Sequence, residues 1–187
     1  MGTRNLIAVQ KGGKYKVAQY CQWDGYPKYQ GIKVLTFARK LESIKFRSEF
    51  EDKVEATEIA SIGYINGIMN AVPDWNKSNP EFSSDTGAKI LPLIMQSPPG
   101  LKLQNEISFA KDSLFCEWAY VLDLDNGTFE CYKGFNRSPL TEKDRFYFDN
   151  YCYDGYYGVR LVDGAKWDLN DLPTDKEFFA TFSKCEG

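Results

Sequence analysis

The chain contains no histidine. Ser-His-Asp and Cys-His catalysis are therefore excluded, as are His-ligated zinc and a histidine pH switch. Acid–base chemistry, if there is any, falls to Asp, Glu, Lys, Tyr or Cys. A basic excess is missing too: 23 Lys and Arg stand against 26 Asp and Glu, a net charge of −3. Affinity for nucleic acid comes largely from neutralising phosphates, so direct nucleic-acid binding is not expected. The cysteines at 21, 116, 131, 152 and 185 form no C-x-x-C pair, which argues against a zinc ribbon. No apolar run approaches the length of a membrane span, and "LIAV" near the start is too short for the apolar region of a signal peptide. The expectations are reduced thiols, a cytoplasmic location, no membrane, no metal and no cofactor.

Aromatic residues are plentiful. Thirteen Phe, 12 Tyr and 4 Trp in 187 residues supply enough buried area for a proper core, and the length suits a single domain over 1–187. "NLIAVQ" and "KVAQYCQ" alternate around "KGGK", where two glycines supply the positive φ of a tight turn. This predicts a hairpin over 6–22. "LFCEWAYVLDLDNGTFECYKGF" predicts a second hairpin over 115–134, turning at Asn126-Gly127, and "YYGVRLVDG" predicts a further strand. Apolar spacing predicts helices in "GIKVLTFARKL", "KFRSEFEDKVEA" and "AKILPLIMQ", the last capped by Ser84 or Asp85 with Pro92 as a kink or in the first turn. Thr174 and Glu177 mark a capping box for a final helix. The Pro-, Asn- and Ser-rich stretch 71–87 predicts a long loop or insertion. The order implies an α+β fold: a mainly antiparallel sheet built from two hairpins plus a further strand, with helices on one face.

Three stretches carry candidate chemistry. In "QYCQWDGYPKYQG" the turn pair Asp24-Gly25 sits among aromatic rings and polar groups, so Gln22, Trp23, Asp24, Tyr26 and Gln30, together with Arg4 near the start of the chain, are candidates for binding a ligand or partner. A helix beginning at Gly31 would present free N–H groups suited to a small anionic ligand. Asp24 and Glu117 could divide acid and base roles if the two hairpins are neighbours. Cys21 and Cys116 are candidate nucleophiles, although buried structural cysteine is the commoner role. "DRFYFDNYCYDGYYG" is a tyrosine-rich candidate docking surface that includes Tyr151, Tyr153, Tyr156 and Tyr157.

"MGTRNLI…YKVAQYCQWDGYPKYQG", "DSLFCEWAYVLDLD…FECYKGF" and "VRLV…LNDLPTDKEF" resemble a family of small proteins encoded by bacteriophages, prophages and some fungi. Arg4, Asn5, Gln22, Trp23, Asp24, Gly25, Tyr26, Pro27, Gly31, Glu117 and Trp118 fall in its distinctive blocks. The resemblance implies a mobile-element context and an intracellular life, but no settled activity. Three functions are therefore open. One is an accessory protein that binds a host protein, such as a host-defence inhibitor of the anti-CRISPR type. The second is a carboxylate-dependent hydrolase or transferase using Asp24 and Glu117. The third is a binder of a nucleotide-like anion at the turn before Gly31.

Overall fold

A computed structural model describes residues 2–149 and 151–183. Its centre is a five-stranded sheet. Strand β1 (Asn5–Lys11) turns through Gly12 and Gly13, both at positive φ, into β2 (Lys14–Cys21). Strands β5 (Trp118–Asp123) and β6 (Thr128–Lys133) form the second hairpin, turning at Gly127 with φ +65°. Strand β7 (Arg160–Asp168) is the last. The spatial order is β2-β1-β5-β6-β7. All neighbours are antiparallel except β1 and β5, which run parallel with Asn5 opposite Trp118. The fold is α+β, as expected from the sequence.

Four helices pack on one face: α1 (Ile32–Lys40), α2 (Ile44–Glu55), α5 (Ile90–Gln96) and α6 (Asp175–Phe182). Strand alternation decides what they meet. Val17, Trp118, Tyr120 and Leu122 project to this side with Leu35, Phe50, Leu91 and Phe178, all buried. The Thr174–Glu177 capping box starts α6, and Pro92 falls in the first turn of α5. No side chain caps α5; a 3-10 turn at Gly87–Lys89 leads into it instead. Asp85 instead accepts the indole N–H of Trp23 at 3.0 Å, and the Ser84 carbonyl accepts the Gln22 N–H.

The opposite face carries Leu6, Ala8, Ala18, Ala119, Val121 and Tyr132 and is covered by irregular chain that contributes Ala110, Leu140, Phe146 and Val159. Cys116 belongs to this second cluster rather than to the alternation of β5, because the chain turns at 112–117 and the strand begins only at Trp118. Between α2 and α5, strand β3 (Glu58–Ile59), helix α3 (Ile62–Ala71) and helix α4 (Trp75–Ser78) form an excursion, and β4 (Lys102–Leu103) pairs with β3. Neither α3 nor α4 buries a residue. The stretch 71–87 contains α4 and a 3-10 turn at Pro80–Phe82, and it returns to the core through Phe82, Ser83 and Thr86. Among the described residues, no helix is long and apolar enough to cross a membrane.

A candidate docking end of the sheet

The pairing puts Cys21, Asn5, Trp118, Lys133 and Arg160 side by side in one row across the five strands. The residues just outside that row are 2–4, 22–31, 112–117, 134–137 and the approach to β7. Almost every residue that the sequence singled out lies in these segments, so the fold gathers three distant blocks at one end of one sheet.

This end is aromatic and open. Trp23, Tyr26, Tyr29, Phe115, Phe135 and Tyr153 keep from 38% to 50% of their surface exposed. Three of these rings are linked through the Tyr153–Tyr156 turn. Phe115 meets Tyr153 with centroids 6.3 Å apart, and Phe135 meets Tyr156 at 6.4 Å. Tyr153 and Tyr156 are joined by reciprocal backbone hydrogen bonds across Asp154-Gly155, both at positive φ. That two-residue turn has the geometry that matches strand twist. Cations lie over the rings: Arg4 on Phe115 at 4.8 Å, Arg137 on Tyr156 at 4.7 Å, Lys111 on Tyr151 at 4.8 Å, and Lys28 over Tyr26 and Tyr29. Gly2 lies against the Trp23 ring, where an added Cβ would come within 2.2 Å of the indole, so the first residues run between the two aromatic groups. Tyr157 is a support of this surface: its N–H donates to the Asn136 carbonyl, and its own carbonyl accepts from Ser113. Beside Phe135 lies a cleft of about 560 Å³ lined by Gly134, Asn136, Arg160, Val162, Gly164 and Ala180.

Phe135 holds φ +54°. That is an outlier for a bulky side chain and stores strain. It is fixed by two bonds to one residue, Phe135 N–H to the Ser113 carbonyl at 2.7 Å and Asn136 N–H to Ser113 Oγ at 2.9 Å. All three buried side-chain polar atoms that lack a hydrogen bond among the described residues sit here as well: Arg4 Nε, Asn5 Oδ1 and Asp112 Oδ1.

Several expectations change. Gln30 is buried and unavailable to a partner; its Oε1 accepts the Ala88 N–H at 3.0 Å, and Gly87 at φ +50° leaves room for its amide. Gln22 is half-buried and accepts the Tyr20 hydroxyl. The anion site before α1 is not formed. The N–H groups of Tyr29, Gln30, Gly31 and Ile32 already donate to the carbonyls of Tyr26, Asp24, Tyr26 and Pro27 in a wide single turn over Pro27–Gly31. Gly31 itself is covered by the Tyr120 ring, 2.8 Å from where a Cβ would stand. Asp24 and Glu117 do not pair. Glu117 accepts the Arg4 backbone N–H at 3.1 Å, and Asp24 makes no side-chain hydrogen bond or ion pair among the described residues. Cys21 and Cys116 are buried with their S–H groups donating to the carbonyls of Trp23 and Trp118. Burial pushes both thiols up, away from the thiolate that a nucleophile needs. Cys131 is buried as well, Cys152 is exposed, and Cys185 lies outside the described residues.

The sequence reading missed a second polar centre. Arg145 spans Asp123 and Glu130 on the sheet face away from the helices, bonding Asp123 at 2.5 Å and Glu130 at 2.7 Å. Its remaining donors reach Gln10, Tyr15 and Tyr132, and Lys166 adds a second cation to Glu130 at 2.9 Å. Burial alone would raise both carboxyls. Hydrogen bonds from Asn126 and Arg145 to Asp123, and from Arg145 and Tyr132 to Glu130, outweigh it and hold both below the usual carboxylate range. This network forms one wall of a cavity of about 440 Å³, which Glu142, Lys143 and Asp144 also line. Neither Asp123 nor Glu130 can serve as a general acid near neutral pH. The signal was present in the alternation, which puts Asp123 and Glu130 on the same face as Val121 and Tyr132, and buried acids demand a cation. Among the described residues, no group of three acidic or thiol side chains could hold a metal. Comparison with known proteins finds no matching family model, curated protein or solved structure.

Proposed function

We propose that this protein acts by binding a protein partner through the aromatic end of its sheet. One observation carries the reading: six half-exposed aromatic rings, from four separate segments, gather at one end of the sheet. Solvent-exposed rings of Tyr, Trp and Phe supply large contact area for little ordering entropy and are enriched at protein interfaces. Their convergence from segments so distant in the chain is no by-product of local sequence.

Charge separates a protein partner from a nucleic acid. Arg4, Lys28, Lys111, Lys133, Arg137 and Arg160 at this end are balanced by Asp24, Asp85, Asp112, Glu117, Asp154 and Asp163. A surface with no excess of cations gains nothing from releasing phosphate counterions. A mixed-charge, ring-rich surface suits a protein. The finer reading, a phage-type accessory protein that occupies a host protein and a host-defence inhibitor of the anti-CRISPR type, extends this from the family resemblance alone.

Affinity capture from bacterial lysate, run with the wild type beside a Phe135→Ala/Tyr153→Ala variant, tests the proposal. The expected result is a host protein retained by the wild type and lost with the variant at unchanged melting temperature. Equal retention by both proteins overturns it.

A further inference from the structure

We infer that Arg4 is the receptor for a partner's carboxylate, an Asp or Glu side chain that docks at the centre of the aromatic end. This rests on the protein-binding reading and names the chemistry of what binds. Arg4 stands two residues after Gly2, which lies against the Trp23 ring, and its own guanidinium is laid on the Phe115 ring at 4.8 Å. Its Nε is enclosed and makes no hydrogen bond, while the distal nitrogens, which are not enclosed, make none among the described residues, so the outer edge of the guanidinium is the edge a carboxylate can reach. The nearest acid, Glu117, stands 3.9 Å from Nε, and the same Oε1 is held by the Arg4 backbone N–H at 3.1 Å. Glu117 therefore offsets the charge without filling the fork.

A guanidinium has five donors in one plane and matches a carboxylate two at a time. Stacking on Phe115 fixes the plane in advance, so little freedom is lost when a carboxylate arrives. The electrostatics favour a single negative charge over a phosphate, because Glu117 stands 3.9 Å from Nε and repels a dianion more strongly. An internal acidic residue fits better than a chain terminus. Residues 2–4 run from the Trp23 ring to the Phe115 ring, and a segment that covers both rings passes over Arg4 and continues beyond it.

The test is a titration of labelled protein, following the Arg4 Nε–Hε resonance. The probes are N-acetyl-glutamate methylamide, its glutamine counterpart, and N-acetyl-alanine, which offers only a chain-end carboxylate. The expected result is a saturable shift with the glutamate probe at millimolar concentration and none with glutamine. Glu117→Gln should tighten the glutamate response several-fold by removing the competing acid, and Arg4→Lys, followed through the Phe115 ring resonances instead, should weaken it at unchanged melting temperature. A silent resonance, an equal response to glutamine, or a tightening absent in Glu117→Gln overturns the inference. A response to N-acetyl-alanine at least as tight overturns it in favour of a chain terminus. The two readings fail separately in the capture experiment. Capture lost with the ring variant but kept with Arg4→Gln overturns the role of Arg4 and leaves protein binding intact. Capture kept with the ring variant overturns the protein-binding reading, whatever the titration shows.

Discussion

The two ends of the sheet solve opposite problems. At the turn end, polar groups are used up. Asp125 accepts the N–H groups of Gly12 and Gly13 at 2.8 Å each, tying the first hairpin to the second. Asp123 closes its own turn by accepting from the N–H groups of Asp125 and Asn126, and Asp168 does the same for Asn170. At the aromatic end, three buried polar atoms go unmet among the described residues, Phe135 is held in a strained conformation, and large rings stay half in water. A chain that needed only to fold would have no reason to treat its two ends so differently. Saturation marks where the fold is held, and deficit marks where something else is to be bound.

The largest effect is expected on the saturated side. Arg145→Ala strands Asp123 and Glu130, both buried, without their shared cation. Breaking one partner of such a network costs about 3–5 kcal/mol, and urea unfolding at neutral pH reads it directly. The pH dependence has a definite sign. Both carboxyls are held below their ordinary values, so their stabilisation is present above the unfolded-state range near pH 4. It is lost as pH falls through the lower folded values. Wild-type stability should therefore decline below about pH 4 more steeply than that of an Arg145→Met variant, in which these carboxyls no longer sit below the ordinary range. Parallel acid profiles for the two proteins would show that the network is not what holds this side.

Asp125→Ala should have a smaller effect of the same kind. It removes two charge-assisted bonds from the Gly12-Gly13 turn, but the carboxylate is exposed and solvent competes for those bonds. A loss of about 1 kcal/mol is expected from chemical unfolding. Partner capture should not change, because the residue lies at the opposite end of the strands. A loss of capture with folding intact would break the division of labour between the ends.

Phe135→Asn should move the other way. Asn tolerates the left-handed region that Phe occupies at φ +54°. Relief of that strain is worth about 1–2 kcal/mol before the ring's contacts are subtracted, so a net gain near 0.5 kcal/mol is expected together with weaker capture. Stability gained while binding is lost is the signature of a strained functional residue. A destabilised variant would instead make Phe135 a structural ring and weaken the case for this surface.

These two ends were not equally legible in the sequence. Hairpins, register faces and helix periods were readable because local chemistry specifies them: Gly12-Gly13 and Asn126-Gly127 fix the turns, and strand alternation separates Val17 from Ala18. The aromatic end was readable only as fragments. "QWDGYP", Arg4 and the tyrosine-rich stretch each stood out, but their convergence depends on β1 pairing with β5, a parallel contact between residues more than a hundred positions apart. No local signal encodes it. Phe115 and Phe135 were invisible for the same reason: nothing in "SLFCE" or "KGFNR" says that either ring faces water. Gln30 misled in the reverse direction, since a polar residue beside exposed rings turned out to be a buried bracket for Ala88. Helix α3 was missed because its apolar period packs no core, so the usual link between spacing and burial does not hold.

The smallest effect is expected at Asp24, the residue that first drew notice in the "QWDGYP" turn. It holds φ +58°, and its carboxylate makes no hydrogen bond or ion pair among the described residues. Its backbone is what the fold uses: the Asp24 carbonyl accepts the Gln30 N–H, while Gly25 N–H reaches the Thr3 carbonyl. Asp24→Asn keeps the shape and the tolerance for left-handed backbone and removes only the charge. Stability should stay within about 0.5 kcal/mol. Asp24→Ala keeps neither advantage and should lose about 1 kcal/mol through the backbone alone. The pair therefore separates conformation from charge at one position. Capture by Asp24→Asn should match wild type, because the exposed Asp24 carboxylate pairs with no cation among the described residues and the proposed carboxylate receptor is Arg4. A fall of one to two decades in affinity with Asn, at unchanged melting temperature, corresponds to loss of a charged hydrogen bond of about 1.5–3 kcal/mol. That result would shift the centre of the docking surface from Arg4 and Phe115 to the Trp23 side.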